Sequence, residues 1–164
     1  MNSSSGPNSL SIWTHNIRGI EVKKNDTRAV ALGGVASVKI SAGMRMFEIY
    51  AEAVKNNITV VGGGDLEVGI GGWITGGGHS PVSSKFGLGA DQVLEMEVVT
   101  ADGELRTINA TANPGLFWAM RGVSSQLQFP RPTSNGLKSF IGRRINIWCH
   151  CVCYSKSLSL FARN

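Results

Sequence analysis

The polar–apolar pattern divides this chain into short alternating runs and one clear helical run. "SLSIWTH" (Ser9 to His15) alternates and is rich in β-formers, which predicts a strand, and "GIEVKK" predicts another. "NDT" turns the chain. "AVALGG" and "ASVKISAG" predict two more strands, the second ending at Gly43. In "MRMFEIYAEAVKNN" the period changes. Met44, Phe47, Ile49, Tyr50 and Val54 fall on one face, which predicts a helix closed by Asn56 and Asn57. "ITVVGGG" predicts a short apolar strand, and "DLEVGIGGWITGGGHS" a loop with a short, glycine-tolerant helical turn. "VLEMEVVTADGELRTI" predicts a hairpin, with Val93, Met96, Val98 and Val99 on its first strand and Ala101, Asp102 and Gly103 in its turn. "NPGLFWAMRG" predicts a helix with proline near its start and Gly122 at its end. Trp13, Trp73, Trp118 and Phe117 are expected in the core, with Trp73 also placed to edge a pocket. Past Gly122 the period is lost. A short strand or helix around residues 145–154 is the one element suggested there, and no internal repeat occurs.

Composition changes the picture in two places. The 164 residues suit one domain or a piece of a larger protein, and 42% apolar content is enough for a core. No run approaches the ~18 apolar residues of a membrane span, so no membrane association is expected. The net charge of +5 is uneven: residues 1–122 hold ten Lys and Arg against eleven Asp and Glu, whereas residues 123–164 hold six basic residues and no acidic one. A nucleic-acid partner therefore has no support in the body of the chain. The three cysteines also sit in the tail, as "CHCVC" at Cys149, Cys151 and Cys153. Zinc sites place two to four residues between paired cysteines, where this run has one, and need a second pair, so no metal is expected. "MNSSSGPNSL" lacks the basic and apolar regions of a signal peptide. Four glycosylation sequons, at Asn2, Asn25, Asn57 and Asn109, point instead to a secretory ancestry. Localisation and oligomeric state stay open.

Candidate chemistry gathers in "GGWITGGGHSPVSSKFGLGADQV", residues 71–93. Gly71, Gly72, Gly76, Gly77, Gly78, Gly87 and Gly89 all fall there. Glycine loses more backbone entropy on folding than any other residue. Such density predicts backbone that presses against something, or that turns where side chains do not fit. The spacing is not that of a Rossmann fingerprint.

Joined to its flanks, "VVGGGDLEVGIGGWITGGGHSPVSSKFGLGADQVLEMEVVTADGEL" followed by "NPGLFWAMRG" resembles the FAD-binding PCMH-type domain of the vanillyl-alcohol-oxidase and berberine-bridge-enzyme-like flavoproteins. It is most similar to the fungal FAD-linked oxidases. "SSGPNSLSIWTHNIRGIEV" and "VKISAGMRMFEIYAEAV" extend the likeness over about residues 3–122. The resemblance implies an α+β fold, a partial PCMH-type FAD-binding domain of small mixed β-sheets with packed helices, and FAD lying between two of them. It implies cofactor contact at Ser4, Ser5 and Gly6, the end of a first phosphate loop. It implies further contact at Val68, Gly69, Gly71, Gly72, Thr75, Gly76 and Gly77, the flavin-lining loop. Gly87, Leu88 and Asp91 match a step that returns the chain beneath the cofactor, and Val98 a strand position whose backbone meets the adenine end. For Gly87 and Asp91 a turn capped by Asp stays open as an alternative. His79 either polarises a ring atom or substrate, or bonds backbone in its loop.

The resemblance also has gaps. Many members tie the flavin to a His in a "GH" motif upstream of the serines matched here, and the chain is expected to begin after it. Bicovalent members carry a Cys where Asp65 stands, and residues 1–122 contain no cysteine, so no thioether to flavin is expected. After Gly122 the likeness stops. Residues 1–122 are therefore expected to form the partial flavin domain, and residues 123–164 a divergent basic tail, disordered or poorly packed. The implied function is an FAD-linked oxidoreductase that oxidises an alcohol, sugar or secondary-metabolite small molecule with oxygen as acceptor. The alternative is a non-catalytic truncated fragment with weak or no FAD binding. No catalytic residue is assigned.

Overall fold

Two antiparallel hairpins and one late strand build the sheet. β1 (Ile20–Lys24) pairs with β2 (Ala36–Ser41), and β4 (Val93–Val99) with β5 (Leu105–Asn109). In the computed structural model, which describes residues 13–100, 102–122 and 145–155, these hairpins do not pair with each other. β6 (Ile145–Ser155) lies between them, antiparallel to β2 on one edge and to β4 on the other. β3 (Ile58–Val60) pairs with the far end of β6, opposite Cys153 to Ser155. The order is β1-β2-β6-β4-β5, with β3 joined to β6. The α+β class stands as expected. The described strands form a single sheet, antiparallel throughout.

The register explains the core. Ile40 lies opposite Cys149, Cys149 opposite Met96, and Met96 opposite Ile108. All four are at most 2% exposed, so one buried row crosses four strands. Each large side chain buried this way contributes about 1.5–3 kcal/mol. The neighbouring row holds Val38, Cys151 and Val93, also buried. The adjacent Cys149 sulfur, and then burial, push the Cys151 thiol well above its usual range. On the opposite face Lys39 Nζ reaches Glu97 Oε1 at 3.0 Å, spanning β6.

Three expectations change here. "AVALGG" is not a strand: Asp26 caps a short helix, α1 (Thr27–Ala31), by accepting the Arg28 N–H at 3.0 Å. Asp26 is 3% exposed and also accepts from Arg28 Nη2 and from Ser37 Oγ at 2.7 Å. The Arg28 guanidinium and these donors hold its carboxyl well below the usual range. Thr14 and His15, expected in a strand, lie in a 3-10 turn, Thr14–Asn16. In the tail, residues 145–155 are an eleven-residue strand at the centre of the sheet, not poorly packed chain. The reason is pairing: both edges of β6 find partners, which a propensity reading cannot see. The rest of the predicted tail lies outside the described residues.

The helix α2 (Met46–Lys55) is where the pattern placed it, but its buried face is Met46, Ile49 and Ala53, with Tyr50 half-buried. Phe47 and Val54 are exposed. Asn57 takes a left-handed conformation after the helix, which asparagine tolerates better than most residues. α5 (Pro114–Met120) buries Phe117 and Met120 and leaves Trp118 65% exposed. Trp13 is 78% exposed, so neither indole is a core residue. No helix among the described residues is long and apolar enough to cross a membrane.

Candidate cofactor site

The glycine-rich stretch folds as a short helix and a return turn. Val68 and Gly69 are seated against the start of α2: the Met46 N–H donates to the Val68 carbonyl at 3.1 Å, and the Ile70 N–H to the Met44 carbonyl at 3.0 Å. α3 (Ile70–Thr75) then drives Ile70 and Ile74 into the core. Gly71 faces the residue after β2, where an added Cβ would stand 3.2 Å from the Ala42 Cβ. Gly72, on the exposed side, would meet nothing within 4 Å. Thr75 folds its hydroxyl back onto the Gly71 and Gly72 carbonyls at 3.0 and 3.3 Å. Gly76 ends the helix. Gly77 and Gly78 then adopt φ values of +99° and +73°, which side-chain-bearing residues rarely adopt.

The glycines therefore do two different jobs. At Gly78 an added Cβ would lie 2.9 Å from the Gly89 Cα, and at Gly89 it would lie 2.3 Å from the Trp73 ring. These positions, with Gly63, make room for the indole, whose Nε1 donates to the His79 carbonyl at 3.1 Å. Trp73 thus packs beneath the loop. At Gly69, Gly72 and Gly77 the space beside the α-carbon is empty to about 4 Å.

Amides divide in the same way. The N–H groups of Gly76, Gly77 and Gly89 donate to the carbonyls of Gly72, Ile74 and Gly78. Among the described residues, those of Gly69, Gly71 and Gly72 have no acceptor. Gly87 and Asp91 take the capping alternative: Asp91 Oδ2 accepts the Leu88 N–H at 2.8 Å and fills the place of a Gly87 Cβ. Leu88 is 41% exposed and the His79 side chain is exposed. Val98 sits in β4: its side chain is fully buried and its backbone runs between Arg106 and Asn146. Ser4, Ser5 and Gly6 lie outside the described residues. Asp65 accepts the Glu67 N–H at 2.9 Å.

A shallow groove of about 140 Å³ opens at Gly69, lined by Trp13, Thr14, His15, Ala42, Gly43, Arg45 and Glu67. Arg45 Nη1 pairs with Glu67 Oε2 at 2.5 Å on its rim. Sequence reasoning assigned neither Arg45 nor His15 to a site. No motif marks either, because β2, α2 and the 3-10 turn bring them together. Gly43 permits this approach, since an added Cβ would lie 2.2 Å from the Thr14 carbonyl oxygen. Nearby, the Tyr50 hydroxyl donates to the Gly63 carbonyl at 2.5 Å, and burial pushes its pKa up. Free amides and bare α-carbons suit a flat ligand that carries phosphate. The residues present fit FAD.

Comparison with known proteins agrees. Residues 2–109 match the family model described as FAD binding domain. The FAD-linked oxidoreductase ZEB1 of Gibberella zeae is 45% identical over 120 residues, covering 73% of this chain and 21% of the relative. The FAD-linked oxidoreductase patO of Penicillium expansum is 46% identical over 120 residues, covering 73% and 20%. Among solved structures, the VAO-type flavoprotein MtVAO615 from Myceliophthora thermophila superposes with a TM-score of 0.72 at 34% identity, over 90% of this chain and 24% of that one. The chain spans about a fifth of the length of the curated relatives it matches. The structural likeness covers more of this chain than the sequence likeness does, 90% against 73%.

Proposed function

This chain belongs to the FAD binding domain family, and from that premise we propose that it is the flavin-cradling part of an FAD-linked oxidase acting on an alcohol, sugar or secondary-metabolite small molecule, with oxygen as acceptor. FAD is the cofactor of the family. When bound it supplies the redox chemistry, accepting a hydride from substrate. The chain's own residues supply placement. The N–H groups of Gly69, Gly71 and Gly72 are donors for phosphate or ring oxygens. The bare α-carbons of Gly72 and Gly77 allow close approach. Arg45 lines the groove as an ion pair with Glu67, so it offers guanidinium donors without a net charge. The observation that carries this reading is the empty space at Gly69, Gly72 and Gly77 in a loop where Gly71, Gly78 and Gly89 are crowded by protein.

A second reading, a piece that binds FAD weakly and does not turn over, is favoured by the size of the groove. Its 140 Å³ falls short of the ~300–1,000 Å³ typical of ligand pockets. One experiment separates the two. The chain is purified with added FAD, desalted, and its visible spectrum recorded. Retained flavin bands support the cradle, and a colourless protein supports the second reading. Oxygen consumption against a panel of alcohols and sugars then tests turnover.

A further inference from the structure

We propose that Tyr154, in the tail strand β6, is a positioning residue that holds the turn behind the glycine loop. The geometry stands by itself; its consequence for the cofactor rests on the FAD reading above. The Tyr154 hydroxyl donates to Gln92 Oε1 at 2.6 Å, and its ring stacks on Phe86 with centroids 4.2 Å apart. Gln92 is 4% exposed. Its amide nitrogen donates to the Phe86 carbonyl at 2.5 Å and lies 3.4 Å from the Leu88 carbonyl. One buried side chain thus ties both ends of the turn together, and Tyr154 occupies its remaining oxygen.

The turn in turn grips the glycine loop. The Ala90 N–H donates to the Gly77 carbonyl at 3.1 Å, and the Gly89 N–H to the Gly78 carbonyl at 2.7 Å. Contacts therefore run unbroken from Tyr154 through Gln92 to the bare α-carbon of Gly77. Only a four-residue helix, α4 (Ser83–Phe86), and a 3-10 turn (Gly89–Gln92) lie between. Segments with so little regular structure open easily unless side chains hold them. The backbone of Tyr154 is itself held opposite Thr59 in β3. Removing its hydroxyl leaves the Gln92 oxygen buried without a donor, which costs more than the bond contributed.

The test uses the full chain and three variants. Tyr154→Phe removes the hydroxyl and keeps the ring stack. Tyr154→Ala removes both. Val152→Ala weakens the same strand without removing a polar group. Amide exchange across residues 86–92 is expected to quicken at least about fivefold in Tyr154→Phe, the equivalent of one lost hydrogen bond as a floor, and further in Tyr154→Ala. In Val152→Ala that turn is expected to exchange no faster than the sheet as a whole. Fluorescence titration with FAD is expected to show a Kd about fivefold higher for Tyr154→Phe, measured where every variant is folded. Unchanged exchange in Tyr154→Phe, or acceleration spread evenly over the sheet, overturns the proposal. A loosened turn with an unchanged FAD Kd overturns its bearing on the cofactor. If the parent chain binds no FAD, the FAD reading falls, and the exchange pattern still decides whether Tyr154 holds the turn.

Discussion

At Gly89 an added methyl would collide with the Trp73 ring at 2.3 Å, whereas at Gly72 it would meet nothing. Gly89→Ala is therefore expected to destabilise the protein by about 1–3 kcal/mol through overpacking. Gly72→Ala, on an exposed helix face, is expected to leave stability unchanged or raise it by up to about 1 kcal/mol, while weakening FAD binding. Urea unfolding and flavin titration of both variants check this; weaker FAD binding in Gly89→Ala alone would argue that Gly72 faces no cofactor. The sequence made every glycine legible but not its neighbour, since Trp73 and Gly89 meet only through the fold. A second residue-scale prediction concerns Asp26. Its folded pKa lies below its unfolded value near 3.9. Its stabilisation is thus complete above that value and is lost as pH falls towards the folded pKa. Asp26→Asn is expected to cost about 2 kcal/mol at pH 7. The gap between parent and variant should narrow steadily below about pH 4, as read from denaturation curves at several pH values.

At the scale of elements, β6 decides whether there is a sheet at all. Without it the β1–β2 and β4–β5 hairpins share no ladder, and β3 has no partner. Isolated two-stranded hairpins are marginal in water. A chain ending at Arg144 is expected to lose cooperative unfolding and to aggregate through its open edges. Added peptide spanning residues 145–155 is expected to restore part of the far-UV and near-UV dichroism. A truncated chain that still unfolds cooperatively would show that β6 is dispensable. The legible elements were those with a strong period and a turn signal: α2, the β4–β5 hairpin and α5. α1 was misread because a valine and alanine run suits either state, and the Asp26 cap decided it. The pattern of β6, "INIWCHCVCYS", was only suggestive, because its partners lie far away in sequence.

For the whole molecule, the pairing of Lys39 with His150 shows how non-local the sheet is. Such topology is slow to form, because long loops must close before contacts reward them. Refolding followed by tryptophan fluorescence is expected in the millisecond-to-second range or slower; completion within microseconds would contradict a sheet closed by β6. By itself the sequence determined the family and the cofactor, because glycine spacing and strand-turn chemistry are local and survive in any context. Only the tertiary structure decided which glycines serve Trp73 and which stay bare, that Arg45 and His15 share a groove with Gly69, and that the tail supplies the central strand. Those are facts about contact between distant residues, and contact is fixed by packing and pairing, not by any one residue's preference.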